Sequence, residues 1–444
     1  HHGTHRDLEN QVLAALAVTT GTLPVRAALG AKVMLKAVID QRRQLSIGLD
    51  DDIAATTAVA AIGAALGDKC LAPKRHASGS AVAADVTLYG LYDIGLNYIH
   101  TDLDDGSAKA KDDSFTMRAG QNSGSRFGLK GTEDLGNGLK VGFVLENGFD
   151  SDTGSLTTKG KIFDREAQAY VEGEFGRISM GRVGQLASMN GSYGLLGVAS
   201  PFSSGWGQTI GPKHVMAAGL TRFDNTVTYV TPDFAGFKVH AQYSFKNSDA
   251  EGALGDEGKP NTDRYYGIGA TYNAGPLALV GVVDSINYRT QRINKTNGLD
   301  DDSLSVTLGG SYDFEVVKVY ALGQYFDNAS GFSSAFDKDV FKAGASGVEG
   351  WGLSLGVSAP AFGGTARAQM GYMDAEDVRA ATAEGKNSFN RYMFSVGYDY
   401  NLSKRTTVYT AASYMKDKID YAAKATDDLK PAAYELFAGM IHRF

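Results

Sequence analysis

From Asp85 onward the chain is punctuated by a regular alternation of two kinds of connector. Seven are tight and rich in glycine, asparagine, aspartate and proline: Asp134–Gly138, Glu174–Arg177, Pro232–Gly236, Asn273–Pro276, Asp313–Glu315, Pro360–Gly364 and Asn401–Arg405. Eight are long and mostly charged: Thr101–Asp113, Ser151–Asp164, Gln185–Arg222, Asn247–Asp263, Thr290–Asp302, Asn328–Gly350, Asp374–Asn390 and Lys416–Pro431. Tight turns of that composition reverse a strand within a few residues. Fifteen connectors imply sixteen strands, with short turns at one end and long loops at the other. An even count lets the first and last strands pair antiparallel and leave no edge.

The strands alternate as a barrel wall between lipid and water requires. In 236–246 one row is Phe237, Val239, Ala241, Tyr243 and Phe245, and the other is Lys238, His240, Gln242, Ser244 and Lys246. Tyr392, Phe394, Val396, Tyr398 and Tyr400 repeat the pattern, as do Leu139, Val141, Phe143 and Leu145. In a soluble sandwich such rows would form one core; sixteen one-sided strands have too many for that. A propeller would repeat a blade motif, and none is found. The last stretch, Tyr434–Phe444, alternates likewise, and the first strand, Val86–His100, is its expected partner.

Composition agrees. No run approaches the roughly 18 apolar residues of a membrane-spanning helix, while glycine (55), tyrosine (22) and phenylalanine (21) are abundant. The single cysteine, Cys70, excludes an internal disulfide framework. A net charge of −7 speaks against nucleic acid as a partner. The expected fold class is all-β: a 16-stranded antiparallel transmembrane β-barrel preceded by a partly helical extension. Residues 1–84 form that extension and 85–444 the barrel. Residues 1–84 are alanine-rich; Ile53–Leu66 suits a signal-peptide core and Ala81-Val82-Ala83 a cleavage site, but charged residues intervene. Since the chain opens on His1, the extension is read as read-through or otherwise non-native, a displaced targeting signal, or a periplasmic appendage.

Particular stretches resemble the general porins of Gram-negative bacteria, most closely those of beta-proteobacteria and Neisseria. They are Asp85–Gly90, the run Ser125–Lys140 (SRFGLKGTEDLGNGLK), Phe175-Gly176 followed by Gly181-Arg182, and His442-Arg443-Phe444. The likeness covers about four fifths of the chain and stops short of residues 1–84. It implies a homotrimer in the cell outer membrane that passes small hydrophilic solutes and ions by diffusion. It further implies a third long loop folded inward as a constriction, and Phe444 as an insertion signal read by the barrel-assembly machinery.

A pore works by width and by the field of the charges lining it. The third long connector, Gln185–Arg222, is too apolar to stand in water, and from Gln185 to Thr221 it holds no aspartate or glutamate; Lys213 and His214 are its ionisable groups. Parity turns Arg118, Arg126, Lys130, Lys140, Arg182, Lys238 and Arg367 inward, against inward Asp93 and Glu146. That surplus predicts a mild anion preference, each unscreened pair contributing on the order of 1 kcal/mol. Each basic residue taken singly could equally pair with a lumen carboxylate or reach to a rim. The outer-loop aspartates Asp102, Asp104, Asp105 and Asp300–Asp302 could hold divalent cations that bridge lipopolysaccharide, but more often form a solvated face. No catalytic constellation, cofactor motif or metal-ligand spacing is found. A substrate-selective porin or an adhesin-like barrel is the alternative.

Overall fold

The computed structural model describes residues 85–444 except 105–108, 218–219, 250–252, 254, 290–301, 333–346, 379–384 and 424–427; the extension and several loop tips lie outside the described residues. The strands are β1 (Thr87–Asp104), β2 (Lys109–Ala119), β3 (Arg126–Gly136), β4 (Leu139–Gly148), β5 (Glu166–Gly173), β6 (Gly176–Gly184), β7 (Arg222–Val230), β8 (Phe237–Ser244) and β9 (Arg264–Ala274). They continue as β10 (Leu277–Asn287), β11 (Leu304–Asp313), β12 (Lys318–Ala329), β13 (Val348–Ala361), β14 (Gly364–Asp377), β15 (Ser388–Asn401), β16 (Thr406–Asp420) and β17 (Ala432–Arg443).

From β3 to β17 each strand pairs antiparallel with the next, and β17 returns to β1 in the register Leu91↔Arg443 to Asp102↔Ala432. β2 pairs with the far part of β1 (Ile94–Asp104) and β3 with its near part (Thr87–Leu91). The two segments are therefore halves of one stave, and the sheet closes as a sixteen-strand barrel. The seam ends on a reciprocal pair: Gly90 N donates to Phe444 O and Phe444 N to Gly90 O, each at 3.1 Å.

The break at 120–125 corrects the sequence reading, which ran one strand through Arg118, Arg126 and Lys130. Its cause is Asp93. The amides of Asn122 and Ser123 donate to Asp93 Oδ2 at 3.0 and 2.7 Å, and Gly120 N and Ser125 Oγ both donate to Asp93 O at 3.1 Å. Backbone groups captured there cannot serve the ladder.

The tight turns form as their residues dictate. Asp134 and Asp313 accept from the backbone amides of Gly136 and Glu315 at 2.8 Å, closing Asx turns, and Asp233 accepts from Gly236 N at 2.7 Å across its own turn. Between Ala361 and Gly364, Phe362 and Gly363 both have positive φ (48° and 82°), the backbone of a two-residue hairpin whose twist suits its strands. At the other end the strands outrun the expected loop boundaries: β1, β14 and β16 continue into stretches read as connectors. Charged residues such as Asp374, Lys416 and Lys418 continue these strands beyond an aromatic band of Trp351, Tyr372, Tyr392, Tyr414 and Tyr434, a layering suited to a membrane interface.

Exposed apolar rows cover the outer face. On β15 Tyr392, Phe394 and Val396 are exposed while Arg391, Met393 and Ser395 are buried; on β17 Tyr434, Leu436 and Met440 are exposed while Glu435, Phe437 and Ile441 are buried. Apolar surface that continuous is too extensive for a monomer in water.

Candidate functional site: the charged interior and the 185–221 segment

The segment 185–221 joins β6 to β7, and its described residues pack against buried side chains of the strands. Leu186, Tyr193, Leu196 and Ala199 pack with Val280 and Val282 of β10 and Leu322 of β12. Further on, Phe202, Trp206 and Ile210 pack with Tyr409 and Ala411 of β16 and Phe437 and Ile441 of β17. Val215 then joins Ile99, Met393, Met415 and Ala433. Strand glycines make room for this path. A Cβ on Gly352 would lie 1.9 Å from Val215 O, and one on Gly397 2.7 Å from the Phe202 ring.

Polar clamps hold the segment. Glu435 accepts from Gln208 N, Thr209 N and Thr209 Oγ1 at 2.6–3.0 Å, and from Asn97 Nδ2 at 2.5 Å. Arg391 and Asp417, directly opposed on β15 and β16, form a buried bidentate pair at 2.7 Å; Arg391 Nη1 also donates to His214 O at 3.2 Å. Arg367 donates to Asp399 Oδ1 at 2.8 Å and Pro201 O at 2.9 Å, its guanidinium 5.6 Å from the Trp206 ring.

The opposite wall carries the basic cluster. Arg126 and Arg165 both approach Glu146, at 3.9 and 2.7 Å, and Glu146 also accepts from Tyr89. Arg182 pairs with Asp224 Oδ1 at 2.6 Å, while Lys161 takes the other oxygen. Arg222 lies within electrostatic reach of Arg126, Arg165 and Arg182, and its Nε is buried without a hydrogen-bond partner. Asp164 and Glu166 are engaged by backbone, hydroxyl and amide donors. The cluster thus sets five cations against four carboxylates.

The ten sequence-derived residues therefore separate, Lys140 being exposed at the start of β4. Arg126, Arg182 and Glu146 come together in the cluster. Arg118 lies near Lys213, whose ammonium donates to Gly207 O at 3.2 Å; burial lowers the Lys213 pKa, with Arg118 adding to the effect and Glu435 opposing it. Lys130 is exposed, 5.3 Å over the Tyr89 ring. Lys238 reaches Asp233 at 3.6 Å beside a tight turn. Arg367 stands on the far wall. Asp93 is fully buried and spends its carboxylate on the 120–125 break and on Tyr409 OH at 2.5 Å. Sequence parity missed Arg165 and Arg222, which sit at loop ends where alternation gives no phase, and Arg391, Asp417 and Glu435. Opposite charges on the inward rows of adjacent strands were the available signal for the pair.

Among the described residues no group of three His, Cys, Asp or Glu side chains is placed to hold a metal ion. Asp102 pairs with Lys111 at 3.6 Å, and Asp302 accepts from Asn287 and Tyr288; Asp105, Asp300 and Asp301 lie outside the described residues.

A closed sixteen-strand antiparallel barrel, apolar outside and charged within, defines an outer-membrane channel. The sequence profile of the Gram-negative porins matches residues 55–420, and the chain belongs to that family. The match begins inside the segment that the sequence reading left outside the likeness. An outer membrane porin of Bordetella pertussis is 34% identical over 399 residues, covering 83% of this chain and 96% of the relative. The major outer membrane protein P.IB of Neisseria gonorrhoeae is 28% identical over 357 residues, covering 78% and 94%. Among solved structures, the anion-selective porin from Comamonas acidovorans is similar with a TM-score of 0.59 and 27% identity, over 81% of this chain and all of that one. The chain is an outer-membrane diffusion pore.

Proposed function

We propose that residues 185–221 fold into the lumen as its constriction, and that the pore passes small hydrophilic anions in preference to cations. The observation that carries this is a carboxylate-free segment facing a wall whose cations outnumber its carboxylates. The segment has no carboxylate from Gln185 to Thr221, and the opposite wall gathers Arg126, Arg165, Arg182 and Arg222. Fixed positive charge in a narrow aqueous passage concentrates anions and excludes cations. The segment's packing on the face opposite the apolar rows and its likeness to an anion-selective porin support the reading. Arg118 and Lys213 add cations at the segment itself, and Lys130 and Lys238 add two more on the wall. Solutes cross by diffusion, and no reaction is assigned.

We read residues 85–444 as the barrel unit, assembled as a homotrimer in lipid and lipopolysaccharide. Phe444, half exposed at the seam, is the mark that barrel-assembly machinery reads. Zero-current potentials across a planar bilayer in a potassium chloride gradient test the selectivity. The expected sign is that of chloride preference, reduced stepwise by Arg126→Gln, Arg165→Gln and Arg222→Gln. Cation preference in the unaltered pore overturns the assignment.

A further inference from the structure

The returning limb of the 185–221 segment places a histidine where only its uncharged form fits. His214 ends a single 3-10 turn, Pro212–His214, and is 1% exposed. Among the described residues neither ring nitrogen has a hydrogen-bond partner of good geometry; the Gln208 backbone lies close enough to favour a proton on the ring, and burial outweighs it. Its charged neighbours are cations: Lys213 on the same turn and Arg391 of β15.

Among the described residues, the surrounding elements offer no free counter-charge. Asp417 of β16 gives both oxygens to the Arg391 guanidinium. Glu435 of β17 is engaged by Gln208, Thr209 and Asn97. Arg118 of β2 adds another cation on the Lys213 side. Under Val215, β13 and β14 bring up Gly352 and Gly371, and β12 presents the Gln324 amide to Ala217 N at 3.1 Å. A proton on His214 would make a third cation in a buried site, beside two carboxylates already in use. The same residue anchors the turn, because its carbonyl receives Arg391 Nη1. A ring driven toward water takes that anchor with it.

We propose that His214 is an acid-sensitive catch on the constriction: protonation releases residues 211–217 from the β14–β16 wall into the lumen and lowers conductance reversibly. This deepens, and rests on, the reading of 185–221 as the segment that narrows the pore. Burial, with Lys213 and Arg391 alongside, holds the His214 pKa well below its ordinary value. A depressed pKa fixes the direction. The docked turn keeps its full stability above about pH 6.5. As pH falls toward the depressed value, the ratio of docked to released turn drops about tenfold per pH unit.

Conductance of the reconstituted full-length pore, recorded from pH 7.5 to pH 4 for the unaltered chain, His214→Gln and His240→Gln, tests this. The unaltered pore and the His240 variant, whose imidazole stands on β8 away from the catch, are expected to step to lower conductance in acid and recover on return. His214→Gln is expected to stay flat. Amide exchange of the unaltered protein needs no variant: protection over 209–217 should fall between pH 7.5 and pH 5 while the strands stay protected. A pore that conducts at neutral pH but shows neither change, or a His214→Gln response matching the unaltered one, overturns the proposal alone. Absence of current at any pH, or cation preference, overturns the underlying reading instead.

Discussion

Arg391 shows how much a single residue can hold and how little of that a lone sequence position reveals. Its guanidinium serves Asp417, the His214 carbonyl and the Phe389 ring face at 5.1 Å, and the residue is fully buried. Removing one partner of such a pair strands the other charge, so Arg391→Met is expected to lower unfolding stability by about 3–5 kcal/mol. Adding Asp417→Leu should recover most of that loss, because two apolar groups of similar bulk need no counter-ion. Urea midpoints in detergent, compared across the two variants, measure both effects. The residue's inward direction is encoded in its alternation with Tyr392 and Phe394, although the sequence reading did not single it out. Its partner was not, because pairing depends on register, and register is set by how many residues each loop consumes. Asp93 gives the complementary case. Parity turned it inward as a lining residue, whereas a carboxylate that collects two backbone amides and a tyrosine hydroxyl organises a strand break.

Strands were readable because their two faces meet different solvents; the 185–221 segment was readable only as something that had to fold. Its route is encoded in part by absent side chains on the wall beneath it. At Gly352 any Cβ would meet Val215 O at 1.9 Å, and a backbone atom cannot swing aside as a flexible side-chain tip can. Gly352→Ala is therefore expected to push the 211–217 turn away from the wall. Single-channel conductance should change detectably while the barrel's resistance to heat and detergent stays near that of the unaltered protein. An unchanged conductance would mean that the segment does not rest there. Loop boundaries were the least legible feature, since β1, β14 and β16 carry charged residues past the aromatic band and charge alone does not mark a strand's end.

At the scale of the whole molecule, the alternation of short and long connectors sufficed for topology, because a closed antiparallel wall tolerates no other arrangement of its ends. The closing register makes a sharp forecast. Leu96 and Ala438 are directly opposed and share the outer face, so Leu96→Cys with Ala438→Cys should cross-link on oxidation in a Cys70→Ser background. Leu96→Cys with Phe437→Cys should not, because Phe437 points to the other side. Gel mobility before and after reduction distinguishes the two.

The carboxylate-free edge of the 185–221 segment has one more consequence. Where the mobile ions in a narrow passage are mostly of one sign, their friction with the surrounding liquid no longer cancels, and an applied voltage pumps solvent as well as current. On the proposed anion-preferring reading, uncharged sugars in such a passage would be swept along with the chloride stream, entering faster under one polarity than the other.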